Sequence, residues 1–246
     1  MCLLVTGDVW NQHSVRGSAR RNTMNTIALN PIIVIAQDVR VRVPGLFVES
    51  VTADGVSASK DSPWLDDAVR DLLARWSGRT AADVAGAPEI PLYRELSRRF
   101  SEQFGAAVPA VENVVTRYVM KGKFPRINSL VDAANVASLR NLIPVGLFDL
   151  HAIDGDLTLD IANGDEQIVP LGKTKSEAVP KGFPVLRDRE RVISIVGVRD
   201  SAHTMIVPTT TAVLAFSWGI EGVPRERVQA TLTDCLELCR TGGPSA

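Results

Sequence analysis

The sequence predicts an α+β protein with a central β-rich core and flanking helices. Short runs of β-branched residues come first, at 32–51, three or four helical patterns follow, and a block of strand-like residues precedes one last helix. Strands and helices in such segregated runs are typical of α+β folds and not of a doubly wound sheet. We expect residues 24–246 to form a single domain, because the chain has neither an internal repeat nor a low-complexity linker. We interpret the polar residues 1–23 as a disordered tail.

The composition is that of an ordinary globular protein, with 45% hydrophobic and 22% charged residues. A net charge of −1 excludes the uniformly basic composition of histone-like nucleic-acid binders. Three cysteines are too few for a secreted disulfide scaffold, and no His and Cys cluster has the spacing of metal ligands, so we expect no metal and no cofactor. No apolar run reaches the roughly 20 residues that cross a bilayer, which indicates a cytoplasmic protein without a membrane partner.

Apolar and polar positions alternate in short runs over residues 32–51, and this pattern predicts strands. Apolar residues at helical spacing, each set followed by a stop signal, predict helices further along the chain. These helices are predicted at 62–76, 92–104, 109–120 and 129–139, and a last one starts at Pro224. Ser129 and Asp132 have the spacing of a capping box for the fourth helix. Cys235 and Cys239 share one face of the last helix, and we expect them to be core residues.

The second half of the chain changes to the two-residue period of strands. Residues 157–161 and 167–171 flank the turn residues 163–165, which predicts a β-hairpin. Residues 192–198 and 211–218 are expected to form two further strands.

Positive charge is concentrated between Tyr93 and Arg126, where seven basic residues accompany three acidic ones. Tyr118 and Phe124 lie among these basic residues, as base-stacking side chains do in contacts with single-stranded RNA. The candidate RNA-binding residues are Arg117, Lys121, Lys123 and Arg126. The alternative is a solvent-exposed helix face, with Tyr118 in the core.

Motifs of common enzyme classes are absent from the chain. It contains no G-x-S-x-G, no phosphate-binding glycine loop with lysine, no G-x-G-x-x-G and no H-E-x-x-H. The three histidines, His13, His151 and His203, are isolated from one another in the sequence. The motifs therefore leave the catalytic residues, if any, unassigned.

Two polar clusters stand out against apolar surroundings. At helical spacing, Asn128, Asp132 and Asn135 converge on one side of a helix. Buried amides and carboxylates need partners, so this cluster predicts either a polar pocket wall or a cap with a structural hydrogen-bond network. The second cluster, residues 199–204, follows a predicted strand. Residues at the end of a strand often carry binding groups. The alternative is an ordinary turn that Asp200 and Ser201 stabilise.

These clusters belong to a longer ordered pattern. Its members are Asn128, Val131–Asp132, Asn135, Ile143–Pro144, Asp149–Leu150, Gly155–Asp156, Leu171–Gly172, Arg199–Asp200–Ser201 and Thr204. This pattern resembles the tRNA-binding and editing module (B3/B4) of the bacterial phenylalanyl-tRNA synthetase β subunit. It is still more similar to the free-standing proteins built around that module. The resemblance covers about residues 90–218.

In the synthetase, this module hydrolyses tyrosine wrongly attached to the phenylalanine tRNA. The resemblance implies an α+β domain of the editing-module type with a central amino-acid pocket. It also implies a tRNA with an aminoacylated 3′ end as the partner, and a free amino acid as a further candidate ligand, with no DNA partner. The substrate-binding residues that it implies are Asn128, Asp132, Asn135, Asp149, Arg199, Asp200, Ser201 and Thr204.

Two positions depart from the synthetase pattern. Gly146 stands where the synthetase has a pocket histidine, and Arg199 stands where it has a pocket glutamate. The specificity for tyrosine therefore does not carry over. The free-standing members share the Arg–Asp pair, which suggests a related pocket with a different ligand.

The polar residues of this pattern suit ester hydrolysis without a side-chain nucleophile. Arg199 offers donors for a carboxylate, a phosphate or a developing oxyanion, and Asp200 can orient a water or hold an α-amino group. A positioned water and a hydrogen-bonded oxyanion suffice for an aminoacyl ester. The first hypothesis is a trans-acting aminoacyl-tRNA editing hydrolase. The alternatives are a non-catalytic module that binds tRNA or amino acid, and a partner protein that retains only the fold.

Overall fold

The computed structural model describes residues 32–101 and 109–240. The helices are α1 (Gln37–Arg42), α2 (Asp66–Trp76), α3 (Ala81–Ala85), α4 (Glu89–Ser101), α5 (Ala110–Arg117), α6 (Ser129–Asn141) and α7 (Arg225–Arg240). The strands are β1 (Ile33–Ile35), β2 (Phe47–Asp54), β3 (Gly146–Asp149), β4 (Leu157–Ile161), β5 (Gln167–Ile168), β6 (Glu177–Ala178), β7 (Pro184–Arg187), β8 (Val192–Ile195), β9 (Arg199–Asp200) and β10 (Ala212–Gly219). Strands and helices are segregated, which confirms the α+β class.

A smaller, antiparallel sheet has the order β2-β10-β3. Side chains alternate across the central strand β10, as the two-residue period of a strand requires. Leu214, Phe216 and Trp218 belong to the main core cluster, whereas Val213 and Ala215 pack with side chains of α6 and α7 in a second cluster. The smaller sheet therefore separates the two clusters.

A larger sheet has the order β1-β4-β7-β8-β9, in which only the β1–β4 pair is parallel among the described strands. Leu159 and Leu186 lie on its inner face and pack in the main cluster with Phe216 and Trp218 of the smaller sheet. Its outer face forms a third apolar cluster with residues around the short β5–β6 pair. The resulting layers are α6 and α7, then the smaller sheet, then the larger sheet.

Helices α6 and α7 pack closely against each other. Every residue of α6 from Ser129 to Leu139 is buried, and alanines at its contact positions allow close approach. The apolar face of α7 includes Cys235 and Cys239, both free and buried, so their assignment to the core is confirmed. Most of the stability of such helices comes from burial of these faces and not from intrinsic propensity.

The predicted helix at 62–76 is confirmed, with a 3₁₀ turn at Pro63–Leu65 leading into α2. The helix predicted at 109–120 is α5 followed by a 3₁₀ turn, Val119–Lys121. The predicted helix at 92–104 corresponds to α4. Its predicted last residues, like the predicted tail 1–23, lie outside the described residues.

Of the strands predicted over 32–51, those at the first and last apolar runs are confirmed as β1 and β2, but the prediction for the middle run was wrong, because it forms α1. Val39 and Val43 are both buried, whereas Val41 is exposed. Valines four apart fit one helical turn as well as they fit a strand. Asp38 in the first turn of α1 and Arg40 in its last turn also favour the helix through its dipole.

The predicted hairpin of residues 157–171 was also wrong. The turn itself exists, because the Glu166 carboxylate accepts hydrogen bonds from the backbone N–H groups of Asn163 (3.1 Å) and Gly164 (2.9 Å). However, β4 pairs with β1 and β7, and β5 pairs with β6. The turn residues specify a local reversal but not the partner of the strand before it.

None of the helices in the described part of the chain combines the length and the hydrophobicity that crossing a membrane requires.

Candidate functional site

Asn128 and Ser129 build the start of α6. The cap is Asn128, whose Oδ1 accepts a hydrogen bond from the Val131 N–H at 3.0 Å. Ser129, which the sequence suggested as the cap, instead accepts from the Ser59 N–H (3.0 Å) and donates to the Ser57 carbonyl (3.2 Å). The predicted capping box of Ser129 and Asp132 was therefore wrong: Asn128 caps α6 instead. An amide at the N-cap leaves the following hydroxyl free to bind the 57–59 loop.

Asp132 of α6 forms hydrogen bonds to two other segments, one at Ile127 and one at Ser62. Its buried carboxylate accepts from the Ile127 N–H (2.8 Å) and from the Ser62 hydroxyl (3.2 Å), and Arg126 lies 3.7 Å away. Burial raises the pKa of Asp132 above its ordinary value, although these partners and the charge of Arg126 act in the opposite direction. Arg126 also binds Asp66 at 2.7 Å. This part of the predicted site acts as a structural network.

Asn135 lies one turn further along α6. Its side chain is 1% exposed, and its Nδ2 has no hydrogen-bond partner among residues 32–101 and 109–240. A buried donor without an acceptor is costly, so this amide has donor capacity that the described fold does not use.

Asp149 closes the end of β3. Its Oδ1 accepts from the His151 N–H at 3.0 Å, and its Oδ2 accepts from the Thr210 hydroxyl at 2.7 Å. The 3₁₀ turn after β3, Leu150–Ala152, also contacts the 3₁₀ turn Ala202–Thr204. The two segments of the predicted pattern therefore meet at this end of the sheets.

Arg199 and Asp200 form β9. The sequence suggested that they directly follow the strand 192–198, but a turn at Gly197 separates them from β8. Arg199 pairs with Ile195 of the outer face, and Asp200 pairs with Ser194. Directly opposite residues in neighbouring strands share a face. Arg199 therefore points outward, where it forms an ion pair with Glu177 at 2.5 Å.

Asp200 and Ser194 lie on the inner face, in register with Leu186 of β7. Both are buried, and the Ser194 hydroxyl has no hydrogen-bond partner among the described residues. Ser194 was not singled out from the sequence. Its one available signal is that it is the hydroxyl residue within the apolar run of β8.

Ser201 and Thr204 complete the second cluster. The Ser201 hydroxyl accepts from the His203 N–H at 3.2 Å and caps the turn at Ala202–Thr204. Thr204 is completely buried, and within the described ranges its hydroxyl has no partner.

A cavity of about 60 Å³ lies at the end of the two sheets where Pro144 and Trp218 meet Val196, and we call it the intersheet cavity. Leu142 and Pro144, which follow α6, form one wall, and Gly197 and Val198, which form the β8–β9 turn, form another. Both segments of the predicted pattern thus line one cavity, through residues other than those proposed from the sequence.

The rest of the cavity wall is mostly apolar and comes largely from α4 and the start of α5, with Ser97 as a hydroxyl residue among them. A second space of about 10 Å³ lies between the two sheets and shares the lining residues Leu96, Val196 and Trp218 with the intersheet cavity. Tyr93 also lines the cavity, but its hydroxyl donates to the Trp218 carbonyl at 2.8 Å. Burial, with a smaller effect of Glu89, raises the pKa of Tyr93, so this phenol stays protonated.

Phe216 occupies the space beside Gly146, its antiparallel partner. A Cβ atom at position 146 would lie 2.2 Å from Cε1 of the Phe216 ring. Phe216 also stacks on Phe148, with 5.3 Å between the ring centroids. The position at which the synthetase pattern has a histidine is therefore covered by an aromatic ring, as is common for glycine in a sheet.

The structure therefore distributes the eight predicted site residues over four places. Asn128, Asp132 and Asn135 lie on α6, behind the smaller sheet. Asp149, Ser201 and Thr204 lie where the two motif segments meet, Asp200 lies on the inner face of the larger sheet, and Arg199 lies on its outer face.

The predicted RNA-binding residues follow one another along α5 and the turn after it. Arg117, Lys121 and Lys123 are exposed. Arg126 is bound to Asp66 and lies over the Phe124 ring at 5.5 Å. Arg126 is exposed as well, but it is held by Asp66, whereas the other three are left as exposed positive charges.

A profile of the B3/4 domain matches residues 92–233, and the chain belongs to this family. Over 85 residues it is 34% identical to the phenylalanine–tRNA ligase beta subunit of Mycoplasma genitalium, covering 35% of this chain and 10% of that protein. Over 140 residues it is 26% identical to the same subunit of Aquifex aeolicus, covering 52% of this chain and 18% of that protein. The matches thus span less than a fifth of either subunit. They confirm the resemblance found in the sequence.

A solved structure is also similar, an N-terminal fragment of the phenylalanyl-tRNA synthetase beta subunit from Pyrococcus horikoshii. It is 13% identical, with a TM-score of 0.46, and the match covers 93% of this chain and 53% of that one.

Proposed function

We propose that this protein binds the aminoacylated 3′ end of a tRNA and hydrolyses the ester bond of a mischarged one. The observation that carries the proposal is the intersheet cavity, because both segments of the family pattern contribute to its walls. Membership in the B3/4 domain family supports the same function, since the named relatives are ligase subunits that act on tRNA.

The reaction needs no side-chain nucleophile. A water oxygen attacks the ester carbonyl carbon, and the tetrahedral intermediate then releases the ribose hydroxyl and the amino acid. One water proton ends on the ribose oxygen. Ser194 and Asp200 lie two residues from Val196 and Val198, which line the cavity, although they do not line it themselves. In the proposal, Asp200 orients this water, and the buried hydroxyls of Ser194 and Thr204 donate to the developing oxyanion. We assign Arg199 no part in this step, because Arg199 does not line the cavity and its guanidinium is paired with Glu177.

The tRNA body is assigned to the positive surface of Arg117, Lys121 and Lys123. Their exposed cationic side chains suit phosphate contacts that position the nucleic acid without reading its sequence.

The experiment is deacylation of tRNAs that each carry a single amino acid. At least one is expected to be hydrolysed above the rate in buffer. The Ser194→Ala and Thr204→Val variants, which remove a hydroxyl with little change of volume, are expected to lower that rate by about tenfold or more. Thr231→Val is the matched control, because the buried Thr231 hydroxyl donates to the Arg227 carbonyl within α7. No deacylation with any amino acid would rule out the hydrolase.

A second candidate is a binding module without turnover. It is favoured by one observation, the Phe216 ring that covers Gly146 and leaves no room for a polar side chain there. Calorimetry with free amino acids separates the two functions. Binding without ester cleavage supports the module, and cleavage excludes it.

A further inference from the structure

We infer that the intersheet cavity takes a small aliphatic side chain of the aminoacyl group, and that Phe216 determines the upper limit of its size. This inference rests on the proposed function, because it names the substrate class of the same site. It depends on the volume of the cavity, on the chemistry of its walls, and on the space that Phe216 fills.

The volume excludes an aromatic side chain. The cavity measures about 60 Å³, and the space beyond it adds about 10 Å³. A cavity of about 150 Å³ holds benzene in another protein, so this one is less than half as large as a phenyl group requires. A branched side chain of three carbon atoms matches it better.

The walls favour an apolar side chain, because Ser97 and Tyr93 are the only residues with a hydroxyl among the described residues that line the cavity. Leu96, Val196 and Trp218 line both the cavity and its inner continuation with carbon atoms. The Tyr93 hydroxyl is already bound to the Trp218 carbonyl at 2.8 Å. A substrate hydroxyl at the inner end, where every described lining residue is apolar, would lose its water without gaining a partner. Threonine, which has the shape of valine, is therefore expected to react roughly 10- to 100-fold more slowly than valine.

Phe216 forms part of the wall of the smaller space beyond the intersheet cavity. Its ring lines this space together with Leu186 of the larger sheet, and it lies where a side chain at position 146 would otherwise stand. Shortening Phe216 to leucine joins the freed volume to the cavity. The variant is therefore expected to accept a larger side chain.

The experiment uses unfractionated bacterial tRNA charged by a ribozyme with one amino acid at a time: valine, threonine, phenylalanine or tyrosine. The unsubstituted protein is expected to deacylate valyl-tRNA fastest. Threonyl-tRNA cleaved as fast as valyl-tRNA, or preference for an aromatic amino acid, would overturn the inference and leave the hydrolase intact.

The Phe216→Leu variant is expected to raise the rate for phenylalanyl-tRNA relative to valyl-tRNA by about tenfold or more. Phe148→Leu is the matched control: it removes the other ring of the stacked pair, outside the lining of the cavity, and leaves the preference unchanged. If Phe216→Leu does not fold, Val196→Ala enlarges the same space from the larger sheet and is expected to shift the preference in the same direction. An unchanged preference in every enlarged variant that folds would overturn the role of this space.

Calorimetry with valinamide, threoninamide and phenylalaninamide separates this inference from the proposed hydrolysis. Tighter binding of valinamide without cleavage of any tRNA would support the inference and reject the hydrolase. Neither binding nor cleavage would reject both.

Discussion

Arg199 and Asp200 are neighbours in the chain, but they lie on opposite faces of the larger sheet. Arg199 pairs with Ile195 and binds Glu177 at 2.5 Å on the outer face. Asp200 pairs with Ser194 and is buried on the inner face. The two residues that the family pattern joins as a pair therefore have different environments and, in our proposal, different roles.

The Arg199→Ala variant is expected to lose no more than about 1 kcal/mol of unfolding free energy, because it removes a half-exposed ion pair. It is also expected to keep its deacylation rate, since Arg199 does not line the cavity and is paired with Glu177. Urea denaturation and the deacylation assay measure these quantities. Glu177→Ala, which removes the other partner, is the control and should cost a similar amount. A large loss of activity in Arg199→Ala alone would contradict this prediction and indicate that Arg199 belongs to the substrate-binding site.

The stability of the chain is expected to depend on the protonation of Asp132. Burial raises the pKa of Asp132 in the folded chain above its value in the unfolded chain. The contribution of this group is therefore fully present below the unfolded pKa of about 3.9 and is lost as pH rises through the folded pKa. Asp132→Asn, which has no such proton, is expected to gain stability relative to the unsubstituted protein as pH rises from 4 to 7. Urea denaturation at several pH values measures this difference, and a difference independent of pH would contradict the prediction.

Gly146→Ala is expected to destabilise the fold by about 1 to 3 kcal/mol, because the added Cβ overlaps the Phe216 ring. Phe216→Leu gives that Cβ room. In the double variant the cost of the alanine should therefore fall, and the coupling between the two sites should exceed about 0.5 kcal/mol. Thermal or urea unfolding of the four proteins in this cycle measures the coupling. Simple additivity would mean that the ring moves aside freely.

The Lys121→Ala/Lys123→Ala variant is expected to weaken tRNA binding and to lower the slope of log K against log salt by about two. These lysines are exposed, so the fold should be unaffected. Filter binding between low and moderate salt measures the slope. Lys173→Ala/Lys175→Ala, a second exposed pair at the same spacing, is the control and should leave the slope unchanged. An equal effect of both pairs would indicate non-specific attraction.

Elements with strong local signals were predictable. Helix α7 places Val228, Leu232 and Cys235 at helical spacing, and β10 is a run of small and aromatic apolar residues that fits a central strand. Helix α1 was not predictable in the same way, since Val39 and Val43 satisfy both periods. The partner of β4 was not predictable either, because β1 and β7 come from distant parts of the chain and the 163–165 turn carries no information about them.

For the candidate site, too, some features could be predicted from the sequence and others could not. The order of motif residues was sufficient to assign the family, because a pattern spread over many positions is specific even without coordinates. The directions of the side chains were not available from that order. A strand reverses the direction of its side chains at each residue, so the place of the β8–β9 turn decides that Asp200 faces the interior and Arg199 does not.

The chain alone thus specified its family, its α+β class and the segments that carry the family pattern, because these depend on residue types and short spacings. Only the packing of the layers decided that Leu142 and Pro144 meet Gly197 and Val198 around one cavity. It also decided that Phe216, far along the chain from Gly146, takes the space beside that glycine. Such contacts follow from strand register and from the stacking of two sheets, which join residues that no local pattern relates.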